Sequence, residues 1–172
     1  SYLRGNMDAI GNENLVPFPY ELAHVENYVT LERIRFGEKL KVCYEFEKGW
    51  DMDFDIPVLS LQPIVENAFI HGLEEKNGNG TIKISGILND EEETVLFMIH
   101  DNGVGMTRAQ IEKALDPPPG TKGSFGLSSV HKRLQLLYGT DFGLKILSDP
   151  GKGTTIIIRM PLHVEKAEKE KQ

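Results

Sequence analysis

The spacing of apolar residues changes along the chain between the period of a helix and that of a strand. Apolar residues three or four positions apart predict helices over residues 19–35, 57–73, 107–115 and 126–138. Apolar residues that alternate with polar ones predict strands over residues 41–47, 81–88, 94–100, 144–147 and 154–160. This order of elements predicts an α+β fold, a two-layer α/β sandwich in which helices cover one face of a single mixed or antiparallel sheet.

Glycine and proline residues predict where several of these elements begin and end. A turn at Lys48-Gly49 is expected to join the first strand to a short run around Phe54, as a hairpin or a bent edge strand. Gly72 is expected to close the second helix from a C-terminal capping position. Pro63 must lie near the start of that helix or kink it.

Composition narrows the class of protein. A chain of 172 residues with 40% hydrophobic content suffices for one compact domain with an appendage. No apolar run is long enough to cross a bilayer and no basic-then-apolar leader opens the sequence, so we expect a water-soluble piece. A net charge of -7 argues against a nucleic-acid surface. The single cysteine, Cys43, excludes an internal disulfide, and its place in a strand predicts a small buried side chain.

The residues Asp101-Asn102-Gly103-Val104-Gly105 directly follow an apolar strand. A carboxylate at the end of a strand can accept a hydrogen bond from an exocyclic amine, while the bare backbone of the glycines lies against a flat ring. Adenine is the obvious candidate for such a ring. The same residues are also ordinary chemistry for a turn between a strand and a helix.

Asn67 and His71 lie four residues apart on the second predicted helix and therefore share one face of it. An amide oxygen is a suitable hard ligand for Mg2+, which prefers oxygen and keeps most of its waters. The alternative is that Asn67 is a polar surface residue and that His71 satisfies carbonyl groups near the end of the helix.

Two glycine-rich stretches provide further candidate sites. Residues 120–126 lead into the helix that starts at Leu127, so free backbone amides at the positive end of that helix could bind phosphates, with Lys122 as a point charge. The alternative for this stretch is a flexible linker. Residues 151–154, Gly-Lys-Gly-Thr, could equally be a simple hairpin turn between two strands.

Together and in this order, these motifs resemble the Bergerat (GHKL) ATP-binding fold of gyrase-type ATPases, heat-shock chaperones, mismatch-repair ATPases and histidine kinases. Residues 61–68, Leu-Gln-Pro-Ile-Val-Glu-Asn-Ala, with the later His71-Gly72, are similar to LytS-type sensor histidine kinases, as are residues 28–37. The resemblance extends from residue 2 to residue 161. It implies a mixed sheet of about five strands with helices on one face, preceded by an N-terminal helix.

The resemblance implies a nucleotide pocket between the helices and the sheet. Asp101 would bind the adenine amine, Gly103 and Gly105 would line the ring, and Thr154 would assist through water. Asn67 would hold Mg2+, and residues 116–125 would form a lid over the phosphates. The remaining residues implied for cofactor binding are His71, Met106, Lys122, Gly123, Gly126 and Leu127.

The resemblance also implies a catalytic residue and several departures from the family pattern. Glu66 would orient or deprotonate the attacking histidine. Related proteins often carry a carboxylate one turn before the magnesium asparagine, where this chain has Pro63. They often carry Lys in place of Ile70 and Asn in place of Ser129, and Lys122 or Arg133 could replace the missing ammonium group.

The implied function is that of the ATP-binding catalytic domain of a bacterial two-component sensor histidine kinase, an enzyme of signal transduction and phosphorelay. It would transfer the γ-phosphate of ATP to a histidine outside this sequence, because none of its own histidines lies in a Pro-His-Phe segment; they are His24, His71, His100, His131 and His163. The alternatives are an ATP hydrolase of the Bergerat fold and a degenerate nucleotide-binding or dimerisation module without turnover.

The same resemblance implies an organisation and a set of partners. Residues 1–37 would be the distal part of a dimerisation helix with its linker, residues 38–162 the catalytic domain, and residues 163–172 a charged flexible tail. The expected partners are the phosphoacceptor helix of the parent kinase, a response regulator and a second copy bound through the N-terminal helices, but no nucleic acid. The domain would be cytoplasmic, with its parent protein anchored in the bacterial membrane.

Overall fold

The computed structural model describes residues 15–47, 50, 53–121 and 125–162. Its α-helices are α1 (Phe18–Phe36), α2 (Gln62–Asn67), α3 (Arg108–Leu115) and α4 (Phe125–Tyr138). A π-helical segment, Ala68–Leu73, continues α2. The strands are β1 (Leu15–Pro17), β2 (Leu40–Phe46), β3 (Asp55–Pro57), β4 (Gly80–Asn89), β5 (Thr94–Asp101), β6 (Gly143–Ser148) and β7 (Thr154–Pro161).

Five of the described strands form one mixed sheet in the order β2-β4-β5-β7-β6. β2 pairs with β4 in parallel, and the other neighbours in this sheet are antiparallel. The small strands β1 and β3 pair with each other in a separate antiparallel ribbon. The predicted α+β sandwich with a mixed sheet of about five strands is therefore confirmed.

The hydrophobic core lies between one face of the sheet and helices α1, α2 and α4. Alternate residues of the central strands enter it because successive side chains of a strand point to opposite faces. These residues include Ile82 and Ile84 of β4, Val95, Phe97 and Ile99 of β5, and Ile156, Ile158 and Met160 of β7. The helices contribute buried apolar stripes whose members lie at helical spacing: Leu61, Ile64, Val65 and Ala68 in and next to α2, and Leu127, Val130 and Leu134 on α4.

The opposite face of the sheet is more open to solvent. Cys43 lies on β2 and is exposed, so the prediction of a buried cysteine is wrong. The reason is its parity in the strand: Val42 faces the core, and its neighbour therefore faces out. A depression on this outer face, lined in part by Lys83, Met98 and His100, contains none of the predicted site residues.

Helix α1 is packed onto the sheet by its first three turns. Phe18 is completely buried, and its ring stacks on those of Phe54 and Phe97 at centroid distances of 5.0 and 5.3 Å. Further along α1, Leu31 and Ile34 are 64% and 78% exposed, although they recur at helical spacing with the buried Leu22, Val25 and Val29. In the described part of the chain, α1 included, no helix combines the length and the apolar character that crossing a membrane requires.

Two local predictions in the region of residues 48–63 differ from the structure, and one agrees with it. The short run after Phe54 does not form a hairpin with β2, because β3 pairs with β1 instead; the predicted turn at residues 48–49 lies outside the described residues. The second helix begins at Gln62 rather than residue 57, since Leu59 has a φ of 55°, which an α-helix does not allow. Pro63 is the second helical residue, in agreement with the prediction.

Gly72 does not cap the helix. It lies inside the π-helical segment, and the chain turns later, at Asn77 and Gly78, whose φ values are 52° and 72°. The absence of a side chain at Gly72 has a different cause, which is the carboxylate of Asp101 packed against it.

Candidate functional site

Asp101 occupies the last position of β5 and is only 3% exposed. Its Oδ1 accepts a hydrogen bond of 2.9 Å from the Gly103 N–H. A Cβ built on Gly72 would lie 2.7 Å from the same oxygen, so only glycine leaves room for the carboxylate at this place. The end of β5 and the π-helical segment therefore hold one acid between them.

The environment of Asp101 opposes its ionisation. Burial raises the pKa of the Asp101 carboxyl above its ordinary value, and the hydrogen bond from the Gly103 N–H offsets part of this effect. An ionised carboxylate has about four lone-pair sites for hydrogen bonds. A donor brought by a ligand would therefore find an acceptor here that is largely removed from water.

Three segments far apart in sequence meet around this carboxylate. The Val104 N–H donates to the Gly72 carbonyl at 3.1 Å, which ties the loop after β5 to the π-helical segment. The Gly151 N–H donates to the Val104 carbonyl at 2.7 Å, which ties the turn between β6 and β7 to the same loop. The predicted motifs at Asp101 and at residues 151–154 are thus neighbours in the fold.

The two glycines after Asp101 are required by contacts within the protein. A Cβ on Gly103 would lie 2.1 Å from the Gly72 carbonyl oxygen. A Cβ on Gly105, which has a φ of 71°, would lie 2.0 Å from the Asp149 carbonyl oxygen. Close approach of backbone to backbone therefore explains these glycines, while their contact with a planar ring stays a prediction.

The Ser148 hydroxyl links Thr154 to Met106. Ser148 Oγ lies 2.7 Å from the Gly153 carbonyl oxygen, which can only accept, so the serine donates there. It accepts from the Met106 N–H at 2.8 Å and lies 2.9 Å from Thr154 Oγ1. Because the one proton of Ser148 is already used, Thr154 donates to Ser148 and retains its own lone pairs for another donor.

Asn67 is the last residue of α2, where the chain changes from α- to π-helical geometry. π-helical segments are rare in proteins, and those that occur are often found at functional sites. Asn67 is half-buried, and its side-chain amide forms no hydrogen bond with another residue in the described ranges. His71 is exposed on the π-helical segment. Because the turn of a π-helix is wider than that of an α-helix, the angle between the Asn67 and His71 side chains differs from the one that an α-helix would give.

Glu66 lies beside Asn67 and is held by its own helix. Gln62 Nε2 donates to Glu66 Oε1 at 2.8 Å, one turn earlier on α2. Burial, followed by the charges of Glu32 and Glu66, raises the pKa of the Tyr28 phenol above its ordinary value. Tyr28 is therefore neutral, and α1 brings a polar group into the electrostatic range of Glu66.

The beginning of α4 lies against the beginning of α2. A Cβ on Gly126 would approach Pro63 to 3.9 Å, while the Leu127 side chain is 5% exposed and belongs to the core. Lys122 and Gly123, predicted to bind phosphate, lie outside the described residues. Arg133 Nη2 donates to the Leu59 carbonyl at 2.8 Å, so its guanidinium holds the loop before α2.

Sequence reasoning missed several residues that support the site. Gly72 offered a signal, since a glycine inside a helical pattern often marks a close approach, but its position near the helix end suggested a cap instead. Ser148 offered none, because a serine at a strand end is unremarkable. Asn102 Oδ1 accepts from the Thr81 N–H at 2.8 Å and thereby joins the loop after β5 to the start of β4.

Comparison with known proteins shows which family this sequence resembles. The family model described as "Histidine kinase-, DNA gyrase B-, and HSP90-like ATPase" matches residues 55–164. The chain is 34% identical over 161 residues to the sensor histidine kinase YpdA of Escherichia coli (strain K12), covering 93% of this chain and 27% of YpdA. It is 32% identical over 153 residues to the sensor histidine kinase YesM of Bacillus subtilis (strain 168), covering 89% of this chain and 25% of YesM.

The chain spans about half the length (54%) of another curated relative, the Bacillus subtilis protein YwpD. Among solved structures it is similar to the histidine kinase domain of the Erythrobacter litoralis EL346 blue-light activated histidine kinase, with a TM-score of 0.58 and 20% identity over 93% of this chain and 70% of that one. It is also similar to the catalytic domain of the histidine kinase ThkA, with a TM-score of 0.59 and 20% identity over 86% of this chain and 94% of that one. At this identity the structural likeness shows the fold.

The raised pKa of Asp101 predicts a pH dependence of stability. Its contribution to the free energy of unfolding is fully present below the ordinary aspartate pKa of about 3.9 and is lost as the pH rises through the higher folded value. Relative to Asp101→Asn, the unliganded wild type should therefore lose stability as the pH rises above about 4. Urea unfolding of both proteins across this range measures the difference.

Asp141→Asn provides the matched control, because it removes one negative charge from an exposed position. A difference between wild type and Asp101→Asn that stays constant, or that grows in favour of the wild type with rising pH, would contradict the assignment.

Proposed function

Since this chain belongs to the histidine kinase-, DNA gyrase B- and HSP90-like ATPase family, we propose that it is the ATP-binding catalytic domain of a two-component sensor histidine kinase. The observation that carries the proposal is the buried Asp101 carboxylate, whose surroundings oppose its charge unless a ligand supplies a donor. Similarity to YpdA and YesM, both sensor histidine kinases, supports the choice of kinase within the family.

We propose that Asp101 selects adenine by accepting a hydrogen bond from its amino group. Guanine carries a carbonyl oxygen at the equivalent position, and two acceptors facing each other in a site removed from water are unfavourable. Thr154, whose proton goes to Ser148, offers lone pairs to a water that bridges to the base. Gly103, Gly105 and Met106 are proposed to lie beside the ring.

The side-chain amide oxygen of Asn67 is a suitable ligand for Mg2+, and no residue in the described ranges forms a hydrogen bond with it. The described residues contain no cluster of three or more histidines, cysteines and carboxylates that could hold a metal alone. A Mg2+ ion, when bound, would neutralise charge on the phosphates. We therefore propose that it is shared between Asn67 and phosphate oxygens, with His71 and the residues around Lys122 to Leu127 near the phosphates.

Glu66 is proposed to orient the attacking histidine and to receive its proton. In the transfer, a bond forms between the imidazole nitrogen and the γ-phosphorus, the bond from that phosphorus to the ADP oxygen breaks, and the imidazole proton passes to the Glu66 carboxylate. Gln62, one turn earlier on α2, donates from its side-chain amide to the Glu66 carboxylate and thereby restricts the Glu66 side chain. Positioning is the main requirement, because phosphoryl transfer needs little covalent work from the protein.

The partners follow from this proposal. The phosphoacceptor histidine is proposed to lie on a helix of the parent kinase outside this sequence, with a response regulator as the next phosphate acceptor. Residues 1–37 are proposed as the distal part of a dimerisation helix, residues 38–162 as the catalytic domain and residues 163–172 as a tail. The exposed Leu31 and Ile34 on α1 support contact with a second copy. A cytoplasmic domain of a membrane-anchored bacterial protein fits such a kinase.

Two alternatives share the fold. An ATP hydrolase needs a carboxylate to activate water, and the position one turn before Asn67 is occupied by Pro63, which disfavours it. A degenerate module would bind a partner or a nucleotide without turnover. The shared fold does not distinguish these activities, so they must be separated by experiment.

Asp101→Asn should weaken ATP selectively, because the amide presents a donor as well as an acceptor to the adenine amine. Loss of one charge-assisted hydrogen bond predicts a decrease in ATP affinity of about ten- to a hundredfold, measured by titration calorimetry with a non-hydrolysable analogue. Asp141→Asn, exposed and distant in the sequence, serves as the control. Equal affinities of the wild type for ATP and GTP would rule out adenine selection by Asp101.

Asn67→Ala should abolish the effect of Mg2+ on ATP binding while leaving magnesium-free binding largely intact. Calorimetric titrations with and without the metal give the ratio of the two affinities, which should approach about one in the variant. Asn27→Ala, an exposed asparagine on α1, is the matched control. If the magnesium titration of Asn67→Ala equals that of the wild type, Asn67 is not the ligand.

Incubation of the chain with labelled ATP and a separate histidine-bearing helical fragment of a related kinase should label the fragment. Glu66→Gln should slow this transfer by about 10²- to 10⁴-fold without weakening ATP binding, and Glu75→Gln, exposed, should not. Steady release of phosphate without transfer would favour the hydrolase. No shift of melting temperature at saturating ATP would favour the degenerate module.

A further inference from the structure

Glu21 on α1 is a second buried acid, and it lies outside residues 55–164, which the family model matches. Its side chain is completely buried. Three consecutive backbone N–H groups donate to its carboxylate: Leu59 to Oε1 at 2.5 Å, and Ser60 and Leu61 to Oε2 at 3.1 and 3.2 Å. A buried charge with this many donors is well satisfied and holds the backbone that supplies them.

These donors immediately precede α2. The N-terminal N–H groups of a helix lack partners within the helix, and Leu61, the residue before Gln62, has no side chain that could cap them. The carboxylate of Glu21, on another helix, accepts from the Leu61 N–H at the start of α2 and from the two N–H groups just before it, and thereby fixes the chain where it enters the helix. Because the N-terminus of a helix carries partial positive charge, the charge of Glu21 also has the favourable sign.

The loop held by Glu21 has a conformation that needs support. Leu59 has a φ of 55°, which costs energy for a residue other than glycine, and its side chain is 47% exposed. Hydrophobic burial therefore contributes little to keeping it in place. Arg133 of α4 donates from Nη2 to the Leu59 carbonyl at 2.8 Å, while Glu21 accepts from the Leu59 N–H.

The same residue is thus bound from both sides, by α1 through its N–H and by α4 through its carbonyl group. α2 starts three residues later, and Asn67 is its last residue. A single six-residue helix separates the bound loop from Glu66 and Asn67, so a shift or rotation of the loop is passed along the helix to both side chains.

We propose that Glu21 is a positioning residue for the nucleotide site, which sets the place of Asn67 and Glu66 by fixing the start of α2. The proposal rests on the proposed function, since it concerns the magnesium-dependent part of ATP binding. Helix α1 is then a component of the site, although it precedes the residues that define the family. Asp101 is held mainly from β5, where its Oδ1 accepts from the Gly103 N–H, and the π-helical segment beside it is tied separately to the loop after β5 by the Val104 N–H, so adenine binding should depend less on Glu21 than the magnesium effect does.

Glu21→Gln tests the proposal, because glutamine keeps the shape and one acceptor oxygen but removes the charge and the second acceptor. Calorimetry on the whole chain would measure binding of a non-hydrolysable ATP analogue with and without Mg2+, and of adenosine. The ratio of the ATP affinities with and without Mg2+ should fall by about tenfold, whereas adenosine affinity should change by less than about twofold. Glu26→Gln, exposed on the same helix, should match the wild type in both.

The outcomes are distinguishable. If the wild type does not bind the ATP analogue, the proposed function fails and this inference fails with it. If the wild type binds but Glu21→Gln retains the full magnesium effect, or loses adenosine and ATP affinity equally, Glu21 does not position the site and the proposed function stands.

Arg133→Gln decides the question if Glu21→Gln does not fold. Removing the donor to the Leu59 carbonyl should also reduce the magnesium effect while preserving magnesium-free ATP and adenosine binding. If Arg133→Gln instead weakens ATP equally with and without Mg2+, its guanidinium acts on the phosphates directly, and the positioning role of this loop is rejected.

Discussion

The exclusion of water from one carboxylate, that of Asp101, is the constraint on which the site depends. An acid that is 3% exposed is tolerated because the end of β5, the π-helical segment and the turn between β6 and β7 meet around it through backbone hydrogen bonds. The glycines at positions 72, 103 and 105 make that meeting geometrically possible, since a Cβ on any of them would overlap a neighbouring atom. For the adenine site proposed here, this arrangement means that the acceptor is in place without a ligand.

Two buried carboxylates have different parts in this protein because their surroundings offer different numbers of donors. Glu21 receives three backbone N–H groups and is complete within the fold. Asp101 Oδ1 accepts from the Gly103 N–H, and the Thr154 N–H also favours the charged form, yet burial still raises the pKa of this carboxyl. The first arrangement stabilises structure, and the second leaves a requirement that a ligand can meet. Burial alone would not have separated the two acids.

Membership of the ATPase family describes residues 55–164, but the packed unit is larger. Phe18 lies in the same aromatic cluster as Phe97 of the central strand, and Glu21 reaches the start of α2. Helix α1 is therefore joined to the family domain by both apolar packing and hydrogen bonds. The relatives named as sensor histidine kinases extend well beyond this chain.

Local periodicity determined much of this protein from its sequence alone: the strands that cross the sheet, the buried stripes of α2 and α4, and an acid with two glycines at the end of β5. These features depend on which nearby residues share a face of a helix or strand, and the spacing of residues along the chain determines that. Only the tertiary structure decided that β2 pairs in parallel with β4, that Gly72 makes room for Asp101, that Leu31 and Ile34 are exposed, and that Glu21 binds Leu61, 40 residues away. Such contacts depend on how whole elements pack against one another, and a pattern of apolar and polar positions does not specify the partner.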